Sequence, residues 1–190
     1  CLHRFVITCI QQAAEEFNQA LATYGKLATL MPNSPQPYLR MAEIQVAAKN
    51  KEAAMQSLRK ALLVKSDSIE AQRGIMMLDL DAGRTAEALA TARQVQKQRP
   101  KEAVGYVLEG DVNALKKSWS EAATAYRTGL KQSGATELAV KLHAVLVAGG
   151  SSGEADRFAE GWLKDHAKDL QFRLYLAEGA TARKDYASAS

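Results

Sequence analysis

PQPYLRMAEIQVAAKNKEAAMQSLRKALLVKSDS, residues 35–68, decides the fold of this chain. The segment reads as two amphipathic helices around a short polar turn. Pro35 and Pro37 open the first helix, where a missing backbone N–H costs nothing. Tyr38, Met41, Ala42, Ile44 and Gln45 recur at helical spacing, with Met41 and Ala42 toward the next helix. Lys49-Asn50-Lys51 makes the turn. Ala54, Leu58, Ala61 and Leu62 form the apolar stripe of the second helix, and Ser66-Asp67-Ser68 closes the unit and offers an N-cap to whatever follows.

The same grammar recurs on both sides. Six alanines, Ala20, Ala54, Ala88, Ala122, Ala155 and Ala189, are spaced by 34, 34, 34, 33 and 34 residues. With these at position 20, Thr8, Ala42, Gly110 and Ala177 place a small residue at position 8. Tyr24, Leu58, Ala92, Tyr126 and Ala159 stand at position 24, and Pro32, Ser66, Pro100, Gly134 and Ala167 at position 32. Small residues at 8 and 20 mark a close crossing of two helices, A near positions 1–14 and B near positions 17–30, because a larger side chain would push the backbones apart. A period of this length is the signature of stacked helix hairpins. The expected architecture is an all-α, right-handed superhelical solenoid of about 5.5 repeats and 11 helices. It forms one array over 1–190, with repeats near 1–34, 35–68, 69–102, 103–135, 136–169 and a truncated 170–190. The abrupt start and stop predict a fragment of a longer protein. The last half-repeat lacks a polar cap, so Leu174, Leu176 and Tyr186 are expected to favour self-association through uncapped ends.

These positions resemble the tetratricopeptide repeat, defined by a bulky residue at 4, an aliphatic at 7, small residues at 8, Ala at 20, an aromatic at 24, Ala at 27 and Pro at 32. The resemblance is strong in repeats two, four and six. Departures are Glu109 at position 7, His143 at position 8, and Gly129 and Trp162 at position 27. Residues 1–10, with four β-branched residues and two cysteines, make an unusual helix A. A narrower resemblance is carried by EGDVNALKKSWSEAATAYRTGLK (109–131), ELAVKLHAVLVAGG (137–150) and LAEGATARKDYASA (176–189). These stretches are similar to the tetratricopeptide lipoproteins of bacterial PEP-CTERM/exosortase systems. That resemblance implies a scaffold in exopolysaccharide production or protein sorting at the periplasm-facing cell envelope. A cytoplasmic adaptor or regulator binding a peptide is the alternative.

Composition argues against most other classes. A net charge of +4, with Lys and Arg scattered, lacks the basic clusters interleaved with aromatics of a nucleic-acid binder. No apolar run approaches the length of a membrane span. Cys1 and Cys9 form no disulfide framework and no CxxC pair. His3, His143 and His166 show no metal-ligand spacing, so no metal and no cofactor are expected. His143 is read as a packed, hydrogen-bonded imidazole, and His166 as a partner for the negative end of a helix B. Gly149-Gly150-Ser151-Ser152-Gly153 lacks the lysine of a phosphate loop and reads as a longer hairpin turn. Trp119 and Trp162 read as turn or core packing. The chain carries no catalytic constellation and is expected not to be an enzyme.

Function is therefore expected on the concave surface, where positions 2, 5, 9, 12 and 13 of each helix A point inward. Those positions hold residues such as Leu39, Val46, Val107 and Leu115, and the candidates for partner contact are Glu43, Glu70, Arg73, Met77, Asp81, Asp111, Glu137 and Glu178. Six of the inward-pointing residues are carboxylates set against one arginine, Arg73. The groove thus runs against the basic bulk and suits a basic, partly apolar protein or peptide segment. The tetratricopeptide clamp for a C-terminal carboxylate needs Lys, Asn and Arg at set groove positions. Leu39, Arg40, Glu43, Arg73, Gly74 and Met77 stand there instead, which disfavours a heat-shock chaperone adaptor.

Overall fold

The computed structural model describes the backbone of residues 2–182 and the side chains of residues 15–181. The ladder residue Ala189, the turn Lys184-Asp185-Tyr186 and the side chains of His3, Thr8 and both cysteines lie outside the described residues. Among the described residues there are ten helices and no strand. They are α1 (Leu2–Leu30), α2 (Gln36–Ala47), α3 (Lys51–Val64), α4 (Ile69–Asp81), α5 (Thr85–Gln98), α6 (Val104–Leu115), α7 (Trp119–Ser133), α8 (Thr136–Ala148), α9 (Ser152–Asp165) and α10 (Leu170–Ala182). None is long and apolar enough to cross a membrane. The chain divides into two compact units, 1–91 and 92–190.

The count is ten rather than eleven because repeat one is a single uninterrupted helix. Its expected turn is Ala14-Glu15-Glu16, three residues that favour helix and include neither a glycine nor a helix-starting Ser or Asn. The other four turns share one geometry. Ala48-Lys49-Asn50, Ala82-Gly83-Arg84, Lys116-Lys117-Ser118 and Gly149-Gly150-Ser151 are each three residues long, and the middle residue is left-handed in all four (φ 59, 74, 59 and 79°). The N–H of the third residue returns to a carbonyl five residues back: Asn50 to Gln45, Arg84 to Asp79, Ser118 to Asn113 and Ser151 to Leu146. That of the middle residue returns three back, completing the Schellman closure of helix A. The Gly149–Gly153 segment is therefore not a longer turn, since Ser152 and Gly153 already belong to α9.

Two of those middle residues are lysines, which are disfavoured in the left-handed region by about 1–2 kcal/mol relative to glycine. Lys49→Gly and Lys117→Gly are each expected to stabilise the fold by about 0.5–1 kcal/mol, after allowance for the greater freedom of glycine in the unfolded chain. Denaturant unfolding checks this, with higher midpoints at an unchanged slope as the expected outcome.

The ladder alanines form the spine of both cores. Ala54, Ala88, Ala122 and Ala155 have no exposed surface, and Ala20 is half-buried. In the first unit Leu39, Ala42, Ala54, Met55, Leu58, Ala61, Ala71 and Leu78 pack into one cluster. In the second, Tyr106, Val107, Ala122, Tyr126, Leu138, Leu142, Leu146 and Ala155 belong to one cluster, and Ala139, Ala159, Trp162 and Phe172 form another. The departures at position 27 have a volume logic. A methyl on Gly129 would stand 2.4 Å from Tyr106 Cβ, so the large residue at position 4 requires glycine there. One repeat later the sizes are exchanged, with Ala139 at position 4 and Trp162 at position 27. Cores tolerate such swaps when the summed volume is kept.

The 33-residue step is located just as simply. Only Gly134 and Ala135 separate α7 from α8, whereas four residues separate α3 from α4. Gly134 ends α7 in the left-handed region (φ 63°), so the chain reverses at once.

Candidate functional site: the faces of the A helices

In the first unit α2 and α4 are the A helices. Glu43, Glu70, Arg73, Met77 and Asp81 are exposed, with Met77 at 70%. Val46 is also exposed, at 49%. Leu39, expected on this face, is buried in the core because position 5 of α2 turns toward α3. The carboxylates do not stand alone. Arg40 Nη1 donates to Glu43 Oε2 at 2.7 Å, and Lys51 pairs with Asp81. Glu70 accepts the Ser68 hydroxyl at 3.0 Å. The same Ser68 Oγ accepts from Ala71 N at 3.3 Å as the N-cap of α4.

In the second unit the A helices are α6, α8 and α10. Val107 is buried, a further correction to the expected lining. Asp111, at position 9 of α6, is half-buried and carries two donors on one oxygen. Tyr126 Oη donates to Oδ1 at 2.6 Å and Lys141 Nζ to the same atom at 2.8 Å. Tyr126 arrives from α7 through the gap left by Gly110, where a methyl would lie 2.1 Å from Tyr126 Cε1. Burial, then the bond to Asp111, pushes the Tyr126 hydroxyl far above the ordinary tyrosine range. It therefore stays protonated and donates. The A helices of this unit also carry the exposed aliphatics Leu115 (73%) on α6, Val147 (36%) on α8 and Leu174 (61%) on α10. Glu137 and Glu178 are exposed on α8 and α10.

The sequence reading of one cation against six carboxylates is thus revised: Arg40, Lys51 and Lys141 neutralise three of the six. Arg40 and Lys141 both occupy position 6, which belongs to the lining of this face. The signal was present, since a long basic side chain three residues before or on the next helix from a carboxylate is within its reach.

The other singled-out residues are structural. His143 is buried, with Nδ1 2.9 Å from Tyr175 Oη and its ring edge-on to Phe172 and Tyr175. His166 caps the C-terminus of α9, its Nδ1 3.1 Å from Trp162 O and its ring stacked on Trp162 at 3.7 Å. Trp119 packs beside Gly149, whose missing Cβ would stand 2.9 Å from Trp119 Cβ. That contact and the positive φ of Gly150 account for the glycine pair. Glu109 replaces an aliphatic residue by accepting from Arg93 Nε at 2.9 Å and Gln96 Nε2 at 2.6 Å, on the wall of a polar cleft of about 330 Å³. Among the described residues no group of His, Cys, Asp and Glu has the arrangement of a metal site.

Residues 12–76, about a third of the chain, match the sequence profile of the family described as tetratricopeptide repeat. Two solved structures share the fold. MamA (41-end) from Desulfovibrio magneticus RS-1 is 16% identical with a TM-score of 0.57, over 88% of this chain and 96% of that one. PilW, titled a widely conserved type IV pilus biogenesis factor, is 22% identical with a TM-score of 0.59, over 94% and 86%. Residues 12–76 carry the tetratricopeptide profile, and the helix hairpins share the fold of these structures. A curated relative, anaphase-promoting complex subunit 7 of Arabidopsis thaliana, is 33% identical over 150 residues, which is 76% of this chain. The chain spans only 26% of the length of that relative. Proteins built of such repeats are generally non-catalytic and bind protein or peptide partners.

Proposed function

We propose that the chain is a non-catalytic docking scaffold whose A-helix faces hold a protein or peptide segment bearing aliphatic and basic side chains. One observation carries the reading. In each unit exposed aliphatics share their A helix with a carboxylate: Val46 with Glu43 on α2 and Met77 with Glu70 on α4 in the first, and Leu115 with the half-buried Asp111 on α6, Val147 with Glu137 on α8 and Leu174 with Glu178 on α10 in the second. An aliphatic side chain left in water gains about 1.5–3 kcal/mol when a partner covers it fully. Carboxylates at the margin add orientation and rate of encounter more than affinity.

The test is a tagged full-length chain with its co-purifying partner. Met77→Ser and Leu115→Ser together are expected to weaken capture by roughly tenfold or more, from the apolar area each loses. Leu63→Ser is the control, because Leu63 is 87% exposed on the B helix α3. Capture should also fade as salt rises and screens the exposed carboxylates. A partner lost with Leu63→Ser and kept by the A-face variant would overturn the proposal.

The cellular setting is proposed on narrower grounds. The stretches 109–131, 137–150 and 176–189 suggest the bacterial envelope and exopolysaccharide or exosortase traffic, and no relative found by comparison adds support for it. Fractionation of the tagged full-length protein decides, with a purely cytosolic distribution as the result that excludes it.

A further inference from the structure

Lys141 holds the place that a partner's cation would take. Its ammonium reaches from α8 to Asp111 on α6 at 2.8 Å, and Tyr126 Oη occupies the same Oδ1 from the core side at 2.6 Å. Both ion-pair partners are part-exposed, at 31% for Lys141 and 41% for Asp111, so the pair sits at the surface of the A-helix face. Leu115, four residues after Asp111 and one turn along α6, is 73% exposed, and Val147 stands on α8 beyond Lys141. Tyr126 cannot leave without vacating the gap at Gly110. Lys141 can, since its stem is long and its head is strongly hydrated once released.

We infer that the Asp111–Lys141 pair is an internal competitor. In the free chain Lys141 occupies the carboxylate, and a bound segment replaces it with a lysine or arginine of its own while an adjacent aliphatic side chain covers Leu115. This rests on the A-helix-face reading above and names the residue that sets its specificity. The argument for a basic occupant is charge complementarity. The face already accommodates an ammonium at hydrogen-bonding distance, and with Lys141 displaced it presents Asp111, Glu137 and Glu178. Tyr126 keeps the Asp111 carboxylate aimed outward whichever cation is present, so exchanging one for the other needs no rearrangement of the core. The device makes binding selective, because a purely apolar segment gains nothing from Asp111 and an acidic one meets three carboxylates.

The test uses short labelled peptides of repeating Leu-Lys-Ser and of Leu-Glu-Ser, titrated into the full chain by fluorescence anisotropy. The basic peptide is expected to bind and the acidic one not. Lys141→Gln should tighten the basic peptide by about fivefold, by removing the competitor, and should steepen its salt dependence. Lys116→Gln makes the same change in net charge in the α6–α7 turn and should move affinity by less than about twofold. Asp111→Asn should abolish the gain from Lys141→Gln in the double variant. Binding that is unchanged or weaker in Lys141→Gln, with the wild type still preferring the basic peptide, overturns the competitor and leaves the face reading standing. Equal binding of both peptides, or none of either, overturns both.

Discussion

Replacing Gly110 by alanine is expected to destabilise the second unit by about 2–3 kcal/mol, although alanine is the better helix former by about 1 kcal/mol. The two effects oppose each other, and geometry decides the sign. The added methyl would stand 2.1 Å from Tyr126 Cε1 and 2.5 Å from Cδ1 and Cζ. The ring has nowhere to go. Tyr126 is 2% exposed, its neighbours are Ala122, Leu138 and Leu142 in the same cluster, and its hydroxyl is tied to Asp111. The chain supplies its own control, because the equivalent pair in repeat two is Ala42 with Leu58, both buried. Tyr126→Leu should therefore rescue Gly110→Ala. Alone, Tyr126→Leu loses packing and a charge-assisted hydrogen bond, about 2–3 kcal/mol. The double variant should be no worse than Tyr126→Leu, a coupling of about 2 kcal/mol in a thermodynamic cycle. Denaturant melts of the four proteins measure it. Additive losses, or a stabilised Gly110→Ala, would show that α6 and α7 do not cross where this contact places them.

That pair also shows what could be read from the residues before any coordinates. The alanine ladder located the helix crossings, and Ala54, Ala88, Ala122 and Ala155 are all fully buried. Size at position 8 and size at position 24 trade off along the chain: Ala42 with Leu58, Gly110 with Tyr126, then His143 with Ala159. His143 departs from the consensus because its partner position is small, and a pairwise reading would have anticipated it. The hairpin turns were legible as polar breaks but not in their shape, since lysine at positions 49 and 117 gives no hint of a left-handed backbone. The uninterrupted α1 was hidden by the repeat itself. A period counts residues, while a turn needs local chemistry that Ala14-Glu15-Glu16 does not provide.

The candidate site was legible in part. Position along a helix tells which face a Cβ starts from, and on that basis Glu70, Arg73, Met77, Glu137 and Glu178 are exposed where expected. It does not tell where a long side chain ends. Lys141 and Arg40 begin one position off the expected lining and finish on its carboxylates, which changes the charge of the face from strongly acidic to nearly balanced around Asp111 and Glu43. Leu39 and Val107 show the reverse. Position 5 sits at the border of core and face: Leu39 and Val107 settle inward, while Arg73 and Leu174 at the same position stay out.

Asp169→Ala is expected to be the most damaging single change at the junction of α8, α9 and α10, at about 3 kcal/mol. Asp169 closes repeat five, and no expectation from the sequence singled it out. Its Oδ1 accepts from Phe172 N at 3.0 Å and caps α10. Its Oδ2 accepts from Trp162 Nε1 at 2.9 Å and Thr136 Oγ1 at 2.8 Å, so one carboxylate ties three helices together. Losing a cap costs about 1 kcal/mol, and stranding a buried indole N–H and a half-buried hydroxyl costs about 1 kcal/mol each. The ionised form is the one that is held. Burial raises the carboxyl pKa, but the bonds from Phe172, Trp162 and Thr136 and the charge of His166 outweigh it, and the folded value lies below the ordinary 3.8. The stabilisation is accordingly present in full above the unfolded value and is lost as pH falls through the folded one. Wild-type stability should decline from about pH 5 downward, in the range where an ordinary aspartate begins to protonate. Asp169→Asn has one acceptor oxygen, so it keeps either the cap or the two contacts on Oδ2, and it cannot titrate; it should be weaker at neutral pH by about 1–2 kcal/mol and show a flatter acid limb. Thermal melts of wild type, Asp169→Ala and Asp169→Asn between neutral and acid pH test the assignment, with Trp162 fluorescence reporting the junction itself. Parallel pH profiles for all three would mean that the acid sensitivity belongs to other carboxylates and that Asp169 serves only as a helix cap.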